Sequence, residues 1–196
     1  MLDFGCGFGQ LIMALKQSGF AKVEGADINS AAIESLNARQ VTVHNLTTDA
    51  DFYKNNAEKY DFIIMSHVLE HIPKDEIINL LLLVKTLLIP GGKLVVMVPN
   101  AQSNTGCYWA YEDFTHHLLF TAGSLYYVLK SANFSDISFL DIDCLTESVG
   151  IKKYIKKYLL SLYKLNHKFW NKVTSSHLHK PSPQIFSYEL KAIARK

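Results

Sequence analysis

Short runs of apolar or β-branched residues alternate along the chain with stretches whose apolar positions recur at helical spacing. Leu2–Phe4 reads as the end of a strand, and residues 10–18 as a helix closed by Gly19. Residues 22–28 form a second expected strand, followed by a helix over Ser30–Ala38 that Asn29 or Ser30 is placed to cap. Residues 41–44 read as a short third strand. Tyr60–Ser66 is apolar on both faces, as a buried parallel strand should be. Pro73 is expected to open a long helix reaching about Leu88, because its missing N–H costs nothing in a first turn. Pro90-Gly91-Gly92 then turns the chain into a fifth strand over residues 93–98.

Strands alternating with helices imply an α/β, doubly wound and mostly parallel sheet of Rossmann-like type. Ligands of such sheets bind beyond the carboxyl ends of the strands, where this sequence places its glycines, acids and histidines. The 196 residues suit one domain. It divides into a core (1–147), a basic helical insertion (148–180) and a last strand (184–196).

Charge sharpens that division. Residues 1–147 carry 9 Lys/Arg against 17 Asp/Glu, a net of −8, whereas residues 148–196 carry 11 against one acid, a net of +10. Three scattered cysteines, Cys6, Cys107 and Cys144, offer neither a zinc spacing nor a disulfide framework, which points to a reducing cytoplasmic compartment. The longest apolar run, residues 80–89, is interrupted by Lys85 and is too short to span a bilayer. No nucleic-acid partner is expected.

The segment Leu2-Asp3-Phe4-Gly5-Cys6-Gly7-Phe8-Gly9 carries the chemistry. Three glycines at a spacing of two let the backbone turn tightly and approach a ligand. A dinucleotide fingerprint would need a further glycine or alanine where Gln10 stands, which disfavours a nicotinamide oxidoreductase, and no phosphate loop of the G-x-x-x-x-G-K-[ST] type occurs. Asp3 is placed to hold a cationic amino-acid head group. Asp27, eighteen residues after Gly9, suits the two hydroxyls of an adenosine ribose.

These residues, with Val68-Leu69-Glu70-His71-Ile72 and Pro90-Gly91-Gly92-Lys93, resemble class I S-adenosylmethionine-dependent methyltransferases over residues 1–147. The resemblance implies that Asp3, Gly5, Cys6, Gly7 and Gly9 surround the methionine portion and that Asp27 holds the ribose. It implies further that Ile28 packs on the adenine, that Asp49 meets its amino group, and that Ser66 and His67 contribute backbone.

Transfer to a hydroxyl needs alignment and removal of a proton, a role suited to histidine. His116, in Asp113-Phe114-Thr115-His116-His117, is the expected base; His71 is the alternative, as base or metal ligand, although no metal is expected. The same stretch, with a following helix that ends in Asn133-Phe134, resembles bacterial methyltransferases of polysaccharide and lipopolysaccharide assembly, implying a sugar hydroxyl as acceptor. Tyr108, Trp109, Tyr111 and Phe114 would supply faces for a sugar ring. A quinone-type or amine-bearing small molecule is the alternative acceptor.

Two expectations concern the ends. The glycine loop follows Met1 so closely that the sequence reads as cut inside its first strand, and a non-catalytic remnant is the rival reading. In residues 151–173 the apolar positions gather on one helical face with lysines off it, which suggests either packing on the domain or an anionic membrane surface at the inner membrane face.

Overall fold

The computed structural model describes residues 1–146, 148–177 and 183–196. Among them, the strands β1 (Leu2–Phe4), β2 (Glu24–Asp27), β3 (Val43–Asn45), β4 (Tyr60–Ser66), β5 (Leu88–Pro99), β6 (Ser135–Leu140) and β7 (Glu189–Arg195) form one sheet. Its order is β3-β2-β1-β4-β5-β7-β6. The pairs from β3 to β5 are parallel, and β7 runs antiparallel to both of its neighbours. Helices α1 (Gln10–Gln17), α2 (Ser30–Ala38), α3 (Phe52–Asn55), α4 (Ile77–Leu87), α5 (Gly106–Glu112), α6 (Ala122–Ser131) and α7 (Gly150–Val173) complete the fold.

Apolar periodicity accounts for the core. Ile77, Leu81, Val84 and Leu87 of α4 and Ala122, Leu125 and Leu129 of α6 are buried with Ile63, Met65, Leu94, Val96 and Leu190 of the sheet. A separate cluster gathers Cys6, Ile12, Val23, Leu36 and Val41. Asn29 caps α2 as its sequence position suggests, its side-chain oxygen accepting from the amides of Ala31 at 3.1 Å and Ala32 at 3.2 Å.

Several boundaries differ from the sequence reading for local reasons. Pro73 opens a turn, closed by the Glu76 amide on the Pro73 carbonyl at 2.9 Å, and the helix starts only at Ile77. Pro90-Gly91-Gly92 lies inside β5 as an irregularity, because Leu88 already pairs with Tyr60 before the ladder resumes at Lys93 opposite Phe62. The last strand begins at Glu189, later than expected. The carbonyls of Ile185 and Ser187 are taken by the Asn100 side chain at 2.9 and 2.8 Å, and the Phe186 amide by Asp143 at 2.6 Å, so this backbone is not free to join the ladder. Strand β6 was not anticipated, although Ile137 and Phe139 alternate inward as an edge strand requires. Residues 178–180 of the expected insertion lie outside the described residues.

Candidate active site at the carboxyl ends of the strands

The loop joining β1 to α1 is tied to β2 by backbone and side chain together. The amides of Gly5 and Cys6 donate to the Ala26 carbonyl at 2.7 and 3.2 Å. The Asp27 carboxylate accepts from the Gly7 amide at 2.7 Å through Oδ2 and from the Asn29 amide at 2.8 Å through Oδ1. A Cβ at Gly5 would lie 2.3 Å from Val68 Cγ2, so only glycine lets the loop close on the segment after β4. Gly7 (φ +49°) instead faces open space, where backbone can meet a ligand.

Beneath this loop sits Asp3, 2% exposed, with Oδ2 buried and unpartnered. Burial, reinforced by the nearby Asp27 carboxylate, pushes its carboxyl up to about 7. An unpaired carboxylate in this position is complementary to an ammonium group. The residues therefore fit S-adenosylmethionine: Asp3 would face its cationic amino-acid end and Asp27 would meet its ribose, with a lone pair left on each Asp27 oxygen. Ile28 stands 72% exposed at the rim, and Asp49 is half-buried in the turn after β3. Cys6 turns its side chain into the core beside Ile12, and burial followed by the neighbouring Asp3 and Asp27 carboxylates raises its thiol to about 12, so it presents no thiolate.

After β4 the chain does more than the sequence suggested. Ser66 is half-buried at the end of the strand. His67, expected to offer backbone alone, has φ +55° and places its imidazole between two buried carboxylates, Nδ1 3.1 Å from Glu70 Oε1 and Nε2 2.9 Å from Glu189 Oε1. Hydrogen bonding to Glu189, then to Glu70, raises His67 to about 9, so the ring is an imidazolium at neutral pH. Glu189 lies at the start of β7, over a hundred residues away in sequence, and no local pattern announced the bridge.

His71 and His116, which the sequence offered as alternatives, lie side by side, their ring centroids 4.7 Å apart. His116 Nδ1 lies 2.7 Å from the Trp109 carbonyl, an acceptor only, so Nδ1 carries a proton, while Nε2 lies 3.8 Å from Asp113 Oδ2. Thr115 Oγ1 donates to Asp113 Oδ1 at 2.6 Å and accepts from His71 Nδ1 at 2.8 Å, which fixes the second tautomer in the same sense. His117 instead spends its amide on the Glu70 carbonyl at 2.7 Å. Glu70 is fully buried with Oε2 unpartnered. One ligand atom from each of Glu70, His71 and His116 lies within 4.8 Å of the others, a spacing that could hold a cation. Tyr108, Tyr111 and Phe114 are 54%, 76% and 96% exposed around this cluster's own segment.

A glycine loop closing on an unpaired acid, and an acid ending the neighbouring strand of a seven-stranded sheet with β7 antiparallel, define a class I methyltransferase fold. Residues 1–138 match the family described as "Methyltransferase domain", and the chain belongs to that family. The chain is 33% identical over 106 residues to a ubiquinone biosynthesis O-methyltransferase of Coxiella burnetii, the match covering 51% of this chain and 43% of that protein. The same enzyme of Haemophilus ducreyi is 34% identical over 109 residues, 51% of this chain and 45% of that protein. The matched region thus spans less than half of these relatives. An S-adenosylmethionine-dependent methyltransferase from Archaeoglobus fulgidus has a similar structure (TM-score 0.70, 22% identity, all of this chain and 85% of that one). Phosphoethanolamine N-methyltransferase 2 of Haemonchus contortus, solved with S-adenosylmethionine, is similar at TM-score 0.58 and 16% identity, over all of this chain and 48% of that one.

Proposed function

We propose that this chain methylates a hydroxyl on a small quinone- or phenol-type ring. The observation that carries the reading is the placement of His116: its Nδ1 is taken by the Trp109 carbonyl at 2.7 Å, and the residue offers a ring nitrogen to a cluster with Glu70 and His71 whose ligand atoms lie within 4.8 Å of one another. Val68, two residues before Glu70, closes on Gly5, so this cluster adjoins the cofactor loop. The bound cofactor supplies an electrophilic methyl on a sulfonium. His116 would accept the acceptor's hydroxyl proton, leaving the oxygen as the nucleophile for the methyl that the cofactor would supply. Asp113 and Thr115 hold His71 beside it, and Asp3 and Asp27 hold the donor in line.

The named curated relatives are O-methyltransferases of ubiquinone biosynthesis, which supports a ring hydroxyl over the sugar hydroxyl that the Asp113–His117 stretch suggested. The exposed Tyr108, Tyr111 and Phe114 remain the support for a sugar face. A panel assay with methyl-labelled cofactor separates the readings: label should reach a dihydroxylated aromatic ring. Label on a sugar hydroxyl alone would restore the glycan reading, and label on an amine alone would remove the need for a base.

A further inference from the structure

Helix α7 turns a continuous apolar stripe to the outside. On a helical wheel Ile151, Tyr158, Leu162, Leu165, Phe169 and Val173 form one stripe, with steps of seven, four, three, four and four residues. Every one of them is between 46% and 75% exposed. The opposite face meets the domain through mixed contacts, the rings of Tyr163 and His167 lying 5.2 and 4.9 Å from that of Phe186 beside a set of polar bonds. Lys164 pairs with Asp143, Lys156 Nζ donates to the Cys144 carbonyl at 2.6 Å, and the Tyr163 hydroxyl donates to Asn104 Oδ1 at 2.9 Å. Asp143 is 3% exposed and adopts φ +60°, in a short segment where Asp141 and Cys144 also have positive φ. Backbone strain is thus accepted where it presents a buried carboxylate to the helix. Turning the apolar stripe inward would strip that carboxylate of its lysine, so the orientation is set by these polar bonds. The helix also stands off the body above a cavity of about 580 Å³ that its Ile155, Leu159, Leu160 and Tyr163 border together with Asn104 and Phe186.

From this we propose that α7 docks the protein on an anionic lipid surface, with the stripe in the membrane interface and the helix parallel to it. Lys152, Lys157, Lys168 and Lys172 flank the stripe, and residues 148–188 contain no Asp or Glu. A second copy meeting this face would bring like charges together with no acid to answer them, whereas anionic headgroups answer them directly. Tyr154 and Trp170, exposed at the two edges of the stripe, suit headgroup depth. No helix among the described residues is long and apolar enough to cross a membrane, so the contact is one of lying on the surface. The docking holds whichever acceptor is methylated.

Sedimentation with liposomes tests it on the full chain. Vesicles of phosphatidylglycerol and phosphatidylcholine should carry the protein down, pure phosphatidylcholine should not, and raised salt should release it. Two variants report separately: Lys152, Lys157, Lys168 and Lys172→Glu on the flanks, and Leu162→Ser with Phe169→Ser on the stripe. Each should lower partitioning about tenfold or more while cofactor binding, which also certifies the fold, is unchanged. Equal binding to both vesicle types, or to neither, overturns the proposal. So does a lipid-free dimer, seen by analytical ultracentrifugation, that the stripe variant dissociates.

Discussion

The Asp27 carboxylate holds the Gly7 amide at 2.7 Å across the gap between β2 and the loop after β1. The group proposed to hold the ribose therefore would also shape the surface on which the methionine portion lies. Asp27→Ala removes both roles, and affinity for S-adenosylmethionine should fall by roughly 2–4 kcal/mol by calorimetry. Asp27→Asn keeps an acceptor for one of the two amides and should lie between. Unchanged affinity in the alanine variant would place the ribose elsewhere.

Cofactor binding should also depend on pH through Asp3. With its carboxyl at about 7 in the free protein, much of Asp3 is protonated at neutral pH and cannot pair with an ammonium. Binding the cation favours the ionised form, so affinity should rise between about pH 6 and 8 with release of up to about one proton, and level off above. Calorimetry in buffers of different ionisation enthalpy measures that proton. Asp3→Asn should bind weakly with no such dependence; a slope that survives in this variant assigns the titration to another group.

The alternation of strand and helix and the position of the glycine loop were legible because each depends on neighbours in sequence. The turn at Gly5, Gly7 and Gly9 announces itself by its three positive-φ glycines, and α2 by its Asn29 cap. What was not legible depends on distant partners. His67 becomes an imidazolium only because Glu189 arrives from β7, and β7 starts late only because Asn100 and Asp143 hold the backbone before it. The orientation of α7 escaped for the same reason. Its periodicity reveals a stripe, but the direction in which the stripe faces is set by Lys164 meeting Asp143.

Acid stability should register a different carboxylate. Burial alone would raise Glu24, but hydrogen bonds from Lys59 at 2.7 Å, Tyr60 at 2.8 Å and His44 at 3.0 Å overcome it and hold the group down to about 2. A depressed folded-state value stabilises above the unfolded one, so this contribution is complete above about pH 4.5 and is lost as pH falls toward 2. With partial solvent screening, it should amount to about 1–2 kcal/mol. Denaturant melts of the wild type and Glu24→Gln should converge between those pH values. Parallel curves throughout would show that the cluster contributes nothing through ionisation.

The last expectation separates two uses of the cluster at Glu70, His71 and His116. As a base, His116 works through a lone pair that the Trp109 carbonyl fixes at 2.7 Å, and His71 acts beside it through Thr115. His116→Ala should then lower methyl transfer to a ring hydroxyl by about a hundredfold or more, with cofactor affinity unchanged. Thr115→Val frees the His71 tautomer but leaves His116 intact, and should cost about tenfold or less. A chelator should have no effect on this chemistry. Should a chelator abolish turnover and a divalent ion restore it, the three ligand atoms within 4.8 Å of one another act on the hydroxyl through a cation, with His116 as ligand rather than base. Loss in His71→Ala with little change in His116→Ala would transfer the base to His71 instead. Turnover rates measured with and without chelator, across these variants, distinguish all three outcomes because each predicts a different pair of sensitive positions.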